Sequence, residues 1–425
     1  MNCFGLDIGT TKITLVVLND EGKIEYEGTV LNSYECDKEQ SPEKIFSKCY
    51  SLIKDAEKKC GKADHFGISN QMHGILYVDK MGKALSNLYT WQDEKGNAEY
   101  KNTTYAQYIS DKTGYFVRSG YGIVTHFYLL CNNAVPMNAE KIYTIGDYVA
   151  MRLQGKKKNV IHPSNAAAIG AFDIKNDCFD DVAMAKLGIQ TDILPEVTYE
   201  NDGILAVGDN QASFMGAVSD WDNSVLLNIG TGSQVSLLTD KTGIGFGELR
   251  PFVRGKRLLT GAAECGGYAY NLLAKFFLSV ADFFGVKNIE NIFELMNENA
   301  KNETHTLFDT TFYGTFNDSN KRASFYNISE KEFTAGDMIL ACQTGIVREL
   351  EQLYKKFEMR REKLIATGGV IKKNLQFSNI IEKVFGVKPE VSRIKEEAAI
   401  GACLYALRNA KEKNFDCAMR NLRKN

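Results

Sequence analysis

The chain is poor in the residues that build metal or disulfide frameworks. Its ten cysteines are scattered, with no CxxC pair, and its five histidines show no HxxxH-type spacing. That argues against a zinc site and a disulfide framework, and fits a reducing cytoplasm. No apolar run approaches the ~20 residues of a membrane span, so no membrane partner is expected. Charge is nearly balanced, with 51 Lys+Arg against 53 Asp+Glu and a formal net charge of −2. This gives no electrostatic reason to expect nucleic acid or an anionic membrane. The N-terminus begins directly with a strand, with no signal peptide visible. Six prolines and no Gly/Ser tract suggest a compact pair of lobes. A length of 425 residues suits two domains.

Two apolar strands each end in a glycine-threonine turn. The first reads Phe4-Gly5-Leu6-Asp7-Ile8-Gly9-Thr10-Thr11-Lys12 and continues from Ile13 to Leu18. The second reads Val225-Leu226-Leu227-Asn228-Ile229-Gly230-Thr231-Gly232-Ser233 and continues from Gln234 to Leu238. Ile8-Gly9-Thr10 recurs as Ile229-Gly230-Thr231, and Asp7 matches Asn228. Glycine lets backbone N–H groups approach an anion, and threonine hydroxyls add donors. One such turn alone is as well read as an ordinary hairpin. Two at the heads of two halves suggest a duplicated nucleotide-binding fold with the phosphates held between the halves.

The first 75 residues alternate clearly: strands at Cys3–Ile8, Ile13–Leu18 and Lys23–Leu31, then a helix, then a short strand from Phe66. Ser41-Pro42 marks the helix start, and Ile45, Cys49, Leu52, Ile53 and Ala56 define its buried stripe. Further helices are expected at 142–153, 180–187, 268–284, 334–357 and 396–411. The second half is expected to open near Ser213, giving domains 1–214 and 215–425. The order β-β-β-α-β is that of ribonuclease-H/actin domains. The expected fold class is α/β: two ribonuclease-H/actin-like lobes with a nucleotide cleft between them.

Val207-Gly208-Asp209-Asn210-Gln211 places a carboxylate at the domain boundary. Phosphoryl transfer needs such a group to take the proton of the attacking hydroxyl. An Asp-Asn turn is the plainer reading. Asp7 ends the first strand beside its turn, where a carboxylate can hold Mg²⁺ or simply cap the turn. Thr367-Gly368-Gly369, followed by Asn374, suits a flat adenine or ribose lying on backbone. Gln71-Met72-His73-Gly74 and Trp91-Gln92-Asp93 suit polyol recognition, although His73 alone reads equally as a core histidine.

Together these segments resemble the FGGY carbohydrate kinases, from Phe4 to about Leu407. The resemblance implies ATP and Mg²⁺ as cofactors and a small-molecule sugar as partner, and leaves a homodimer open. It implies Asp209 as catalytic base, with Asp7 and Asp209 at the metal. Gly9, Thr10, Thr11, Lys12, Gly230, Thr231, Gly232, Ser233, Gly368, Gly369 and Asn374 would bind nucleotide, and Gln71, Met72, His73, Trp91, Asp93 and Asn210 would bind sugar. Asn70–Gly74, Thr90–Asp93 and Ser164–Gly170 lean toward the sedoheptulokinases, implying transfer to a ketose primary hydroxyl, with sedoheptulose 7-phosphate as product. Another ketose or polyol is the alternative. An actin-like ATPase would use the same hairpins but has no need of the polyol clusters. Lys95 stands where many members carry arginine, and His126-Phe127-Tyr128-Leu129 occupies the stretch of the family's lysine-x-x-tryptophan signature.

Overall fold

The structure is a computed structural model that describes residues 1–36, 38–155, 160–200, 203–263, 265–314, 320–374, 376–411 and 415. It divides into two compact units. The first comprises residues 1–219, 250–257 and 394–425, and the second comprises 220–249 and 258–393.

A five-stranded sheet carries the first unit. Its strand order is Ala206–Gly208, His65–Asn70, Cys3–Ile8, Lys12–Leu18 and Ile24–Leu31. The first three run parallel, and the last two extend the sheet as antiparallel hairpins. Register sets where the strands end. Ile8 lies opposite Asn70, and Asn70 lies opposite Gly208. Three parallel strands therefore finish abreast, and the residues after each one emerge at the same sheet edge. That edge is where parallel sheets place their ligands, because the loops converge there.

The helix Pro42–Cys60 covers one face. Ser41 caps it by accepting from the Lys44 N–H, and Pro42 occupies the first turn. Ile45, Cys49, Leu52, Ile53 and Ala56 are buried as the spacing predicts. Each fully buried aliphatic contributes roughly 1.5–3 kcal/mol against exposure.

The second unit repeats the logic. Its sheet includes the run Ser233–Thr239, Ser224–Ile229, Lys363–Thr367, Glu390–Val391. Ser224–Ile229 and Lys363–Thr367 are parallel, with Asn228 opposite Thr367. The turn after Ile229 and the glycines after Thr367 thus leave side by side.

Several expectations move. The chain enters the second unit at Asp220, because Ser213 lies inside the helix Asp209–Ala217. The closing helix Glu397–Asn409, expected with the second half, packs in the first unit. There Gly5, Gly67 and Gly401 leave room for backbone to pass at contact distance. The helix expected from Ile142 begins only at Ile145. Lys141–Tyr143 pairs instead as a strand with Leu76–Val78, and Thr144 caps the helix. Among the described residues no helix is long and apolar enough to cross a membrane.

Candidate active site

The sheet edge of the first unit gathers the sequence-predicted residues. Asp7 pairs across the ladder with Ser69, whose hydroxyl donates to Asp7 Oδ1 at 2.8 Å. Asp209 is the first residue of its helix, directly after the strand Ala206–Gly208. Both carboxyls are only partly accessible, and both titrate above the ordinary carboxylate range.

Burial is the main cause for Asp7, raised to about 7. Repulsion from Asp209 and then Glu396 adds to it, against the Ser69 hydrogen bond and the Lys12 charge. Burial also raises Asp209, to about 6, less far because its own and the Asn210 backbone N–H groups and the Arg250 charge favour the anion. The two acids form a coupled pair in which Asp7 ionises against an already charged neighbour.

Lys12 leaves the same turn. Its ammonium lies 2.7 Å from both carboxylate oxygens of Glu396, at the start of the closing helix. Glu396 and Arg250 carry no local sequence signal, since both reach this edge from distant segments.

The remaining groups of the turn form a chain of hydrogen bonds. The Trp91 indole N–H donates to Thr10 Oγ1 at 2.9 Å, and that hydroxyl donates to Gln71 Oε1 at 3.1 Å. Gln71 Nε2 donates to Gln40 Oε1 at 2.8 Å, and Gln40 Nε2 returns to the Thr10 carbonyl at 2.7 Å. Thr10, expected at phosphate, and Trp91 and Gln71, expected at sugar, therefore engage one another. The buried Gln40 was invisible in sequence, because its partner lies thirty residues away on another element.

The Gly9 N–H closes the turn on the Lys12 carbonyl, and the Thr11 carbonyl accepts from the Asn32 N–H.

Beyond Gln71, the Met72 sulfur packs against Gly208, one residue before Asp209. His73 adopts φ +71°, rare outside glycine and a recurrent mark of functional loops. Its ring stacks on Tyr121 at 4.2 Å, and Nδ1 donates to the Ala168 carbonyl at 2.7 Å. A carbonyl only accepts, so Nδ1 carries a proton, and in the neutral tautomer this leaves Nε2 as the acceptor.

The segment Ser164–Gly170 supplies this support. The Ser164 hydroxyl accepts from the Gly208 N–H at 3.0 Å, and Asn165 Nδ2 donates to Asn70 Oδ1 at 2.9 Å and to the Ala206 carbonyl at 3.1 Å. It braces the ends of two strands.

Asp93 departs from the expected arrangement. Lys95 Nζ lies 3.2 Å from its carboxylate and 3.3 Å from Glu39, and the Lys95 N–H donates to Asp93 Oδ1 at 2.7 Å. Asp93 is buried with its charge offset locally. Asn210 follows Asp209 in the same helix, at the same edge.

In the second unit, three glycine segments converge. The Gly230 N–H donates to the Gly232 carbonyl at 2.9 Å, and the Thr231 carbonyl accepts from the Tyr268 N–H at 2.9 Å. Gly368 has φ +104°, and a side chain there would collide with the Ile229 carbonyl. Gly369 opens a short helix onto clear space. Gly266 and Gly267, missed in sequence, press against Ser233 and the Gly230 carbonyl so closely that no Cβ fits.

The buried Ser233 hydroxyl has no hydrogen-bond partner among the described residues. An orphaned hydroxyl beside a glycine turn fits an anion acceptor such as phosphate. Asn374, by contrast, spends its side chain on structure: Nδ2 donates to Asn297 at 2.7 Å, and Oδ1 caps the next helix by accepting from Gln376 at 3.0 Å.

Among the described residues no group of three or more His, Cys, Asp or Glu could hold a metal ion. Asp7 and Asp209 bring two carboxylates to this sheet edge. Two acids raised by burial, one of them also by repulsion from the other, would suit a cation whose other ligands are water and phosphate.

Residues 3–226 match the family model for the N-terminal domain of the FGGY family of carbohydrate kinases. The chain belongs to that family. It is a carbohydrate kinase, and kinases of this family use ATP and act on small-molecule sugars. A glycerol kinase of Alteromonas mediterranea is 24% identical over 411 residues, covering 87% of this chain and 81% of its own. A sedoheptulokinase of Mus musculus is 24% identical over 396 residues, covering 80% of each. The ligand-bound xylulose kinase of Lactobacillus acidophilus superposes with TM-score 0.83 at 21% identity, covering 99% of this chain and 91% of that one. The glycerol kinase of Plasmodium falciparum with ADP also gives 0.83, at 20% identity, over 99% and 92%. These structures show the fold, the actin-like α/β architecture expected from the two hairpins.

Proposed function

We propose that the enzyme phosphorylates a ketose at a primary hydroxyl, with sedoheptulose the leading substrate and sedoheptulose 7-phosphate its product. The observation that carries this is the register of Ile8, Asn70 and Gly208, which brings Asp7, the Gln71–His73 segment and Asp209 to one edge. The sugar hydroxyl would lie at Asp209. Its proton passes to that carboxylate as the oxygen attacks the γ-phosphorus and the bond to the departing ADP oxygen breaks. A pKa raised to about 6 makes Asp209 a better base than an ordinary aspartate while leaving it ionised near neutral pH. His73 Nε2 would accept from a second hydroxyl, and Met72 would pack the reacting end against Gly208.

In the first unit the N–H groups around Gly9 would receive phosphate oxygens; in the second unit the turn at Gly230, with the Ser233 hydroxyl, would also receive phosphate, and Gly368-Gly369 would receive the adenosine. Thr11 and Lys12 would flank the phosphates, Lys12 being drawn from Glu396. Thr231 and Gly232 would shape the second turn. Asp7 and Asp209 would hold Mg²⁺, which when bound neutralises phosphate charge. Trp91, Gln71 and Thr10 would join the sugar segment to the phosphate turn. Asp93 and Asn374 would position these segments, and Asn210 would offer its amide to the sugar.

Sedoheptulose is favoured by Ser164–Gly170 and Thr90–Asp93, and by curated relatives named sedoheptulokinase. Xylulose is the second reading, because Asn70–Gly74 suits a ketose pocket without fixing chain length. A site built to pair extra hydroxyls rejects a sugar that leaves them unmet, so sedoheptulose should exceed xylulose, ribulose and glycerol in kcat/KM by about 10-fold or more. A coupled ADP-release assay across five- to seven-carbon sugars and polyols measures this. Preference for a shorter sugar would replace the substrate and leave the kinase standing.

A further inference from the structure

One buried side chain ties the first glycine turn to the segment after the strand His65–Asn70, and the proposed reaction gives it no task. Gln40 is fully buried. A buried amide costs stability unless its donor and its acceptor are both met. A core alone would carry leucine or methionine there.

The chain holds Gln40 from both sides. It ends the strand Glu39–Gln40, which pairs with Leu88–Tyr89, and Ser41 after it caps the helix Pro42–Cys60. Its amide therefore reaches Thr10 from a fixed frame.

The bonds around it run in one direction. They start at the Trp91 indole N–H, which can only donate, and end at the Thr10 carbonyl, which can only accept. Those two ends fix every proton between them. The Thr10 hydroxyl gives its proton to Gln71, Gln71 gives an amide proton to Gln40, and Gln40 gives one to the Thr10 carbonyl. One circuit thus holds Thr10 at its hydroxyl and at its main chain. The Gln71 N–H also donates to the Ile8 carbonyl at 2.9 Å, so the Gln71–His73 segment starts pinned by main chain and side chain alike.

Thr10 has no second hydroxyl proton, which leaves the turn its N–H groups and Lys12 to offer an anion. The peptide between Thr10 and Thr11 is trans, so its C=O and N–H point opposite ways. With the carbonyl drawn in to Gln40, the Thr11 N–H faces away from the buried amides. It has no hydrogen-bond partner among the described residues, and Thr11 is exposed.

We propose that Gln40 is a positioning residue of the first turn. It sets the Thr10–Thr11 peptide plane so that the Thr11 N–H faces an incoming phosphate, and through Gln71 it fixes the turn to the sugar segment. This rests on reading the turn around Gly9 as a phosphate seat. Without the amide the peptide is free to turn over, aiming a carbonyl where the anion needs a donor.

Calorimetry on the full chain with two probes tests this. One is the magnesium complex of a non-hydrolysable ATP analogue, and the other is adenosine, which has no phosphate to seat. Q40M keeps the length of the side chain but neither donates nor accepts as an amide does. Its affinity for the analogue should fall about 10-fold or more, the worth of one hydrogen bond to a charged group, with adenosine within about twofold. Asparagine is one methylene too short to span both partners, so Q40N should show the same split, and it carries the test if Q40M does not fold. Q40M/Q71M should bind the analogue no more weakly than the weaker single variant, because the two amides act as one unit, and additive losses would break the relay. A role in stability alone would lower the melting temperature and leave the ratio of the two affinities at its wild-type value. That result in a folded variant overturns the proposal. K12M separates it from the reading beneath it, since Lys12 leaves the same turn. If K12M weakens the analogue and Q40M does not, the seat stands and Gln40 has no part in it. If neither does, the phosphate seat itself is misread.

Discussion

Replacing Asp209 with asparagine should lower kcat by about 1,000-fold or more, since a positioned general base contributes roughly 100- to 10,000-fold and this residue is also proposed to hold the metal. Asparagine keeps the volume and one acceptor for the N–H groups of the helix start, so circular dichroism should match the wild type, and above about pH 6 the melting temperature should be equal or higher because the cost of the buried charge is gone. KM for sugar and for ATP should stay within about threefold, because the lost interaction belongs to the transition state. Steady-state kinetics on the pure variant settles the assignment. Wild-type turnover would remove Asp209 from the chemistry, and a large rise in sugar KM with kcat preserved would make it a binding residue only.

Asp7→Asn should separate activity from stability. Turnover should fall by about 100-fold or more, with a raised requirement for Mg²⁺, because half of the carboxylate pair is gone. Stability should move the other way. The native pKa of Asp7 is raised to about 7, so between about pH 4 and pH 7 the folded protein binds the proton that the unfolded chain has released. Stability therefore falls as pH rises through that window, and the full cost is present above pH 7. Asparagine removes that cost. Ligand-free Asp7→Asn should exceed the wild type by on the order of 1–3 kcal/mol at pH 8, a fraction of the full shift because the pair is coupled and partly accessible. The advantage should vanish near pH 4. Denaturant titrations at the two pH values measure it, and an equal or lower stability at pH 8 would mean that the Asp7 charge carries no cost from burial or from Asp209.

Legibility in the sequence depends on range. The two hairpins were legible because strand, turn and strand are consecutive and glycine marks each turn. Helix starts were legible at Ser41-Pro42 and Thr334, where the cap lies beside the residues it serves. Asp7 and Asp209 were legible as carboxylates at strand ends, though only the parallel register places them at one edge. The rest depends on partners far apart in the chain. Gln40 meets Thr10 and Gln71, Glu396 takes Lys12 across 384 positions, and Gly266-Gly267 admits the second turn. No local pattern distinguishes such residues from loop polarity. Nor does the sequence show that Lys95, two residues on, pairs with the Asp93 carboxylate. Chain order also put the closing helix with the wrong half, because strand order, and not position in the chain, decides where a terminus packs.

Whether Asp7 and Asp209 act as an ionised pair is decided by the pH dependence of kcat/KM for the wild type. This ratio reports the free enzyme, in which the two acids titrate near 7 and 6. A plateau is expected above about pH 7.5, with an acid limb below it whose slope steepens toward two protons under about pH 6. A profile flat from pH 5 to pH 8 would show that the pair does not need to ionise for the reaction.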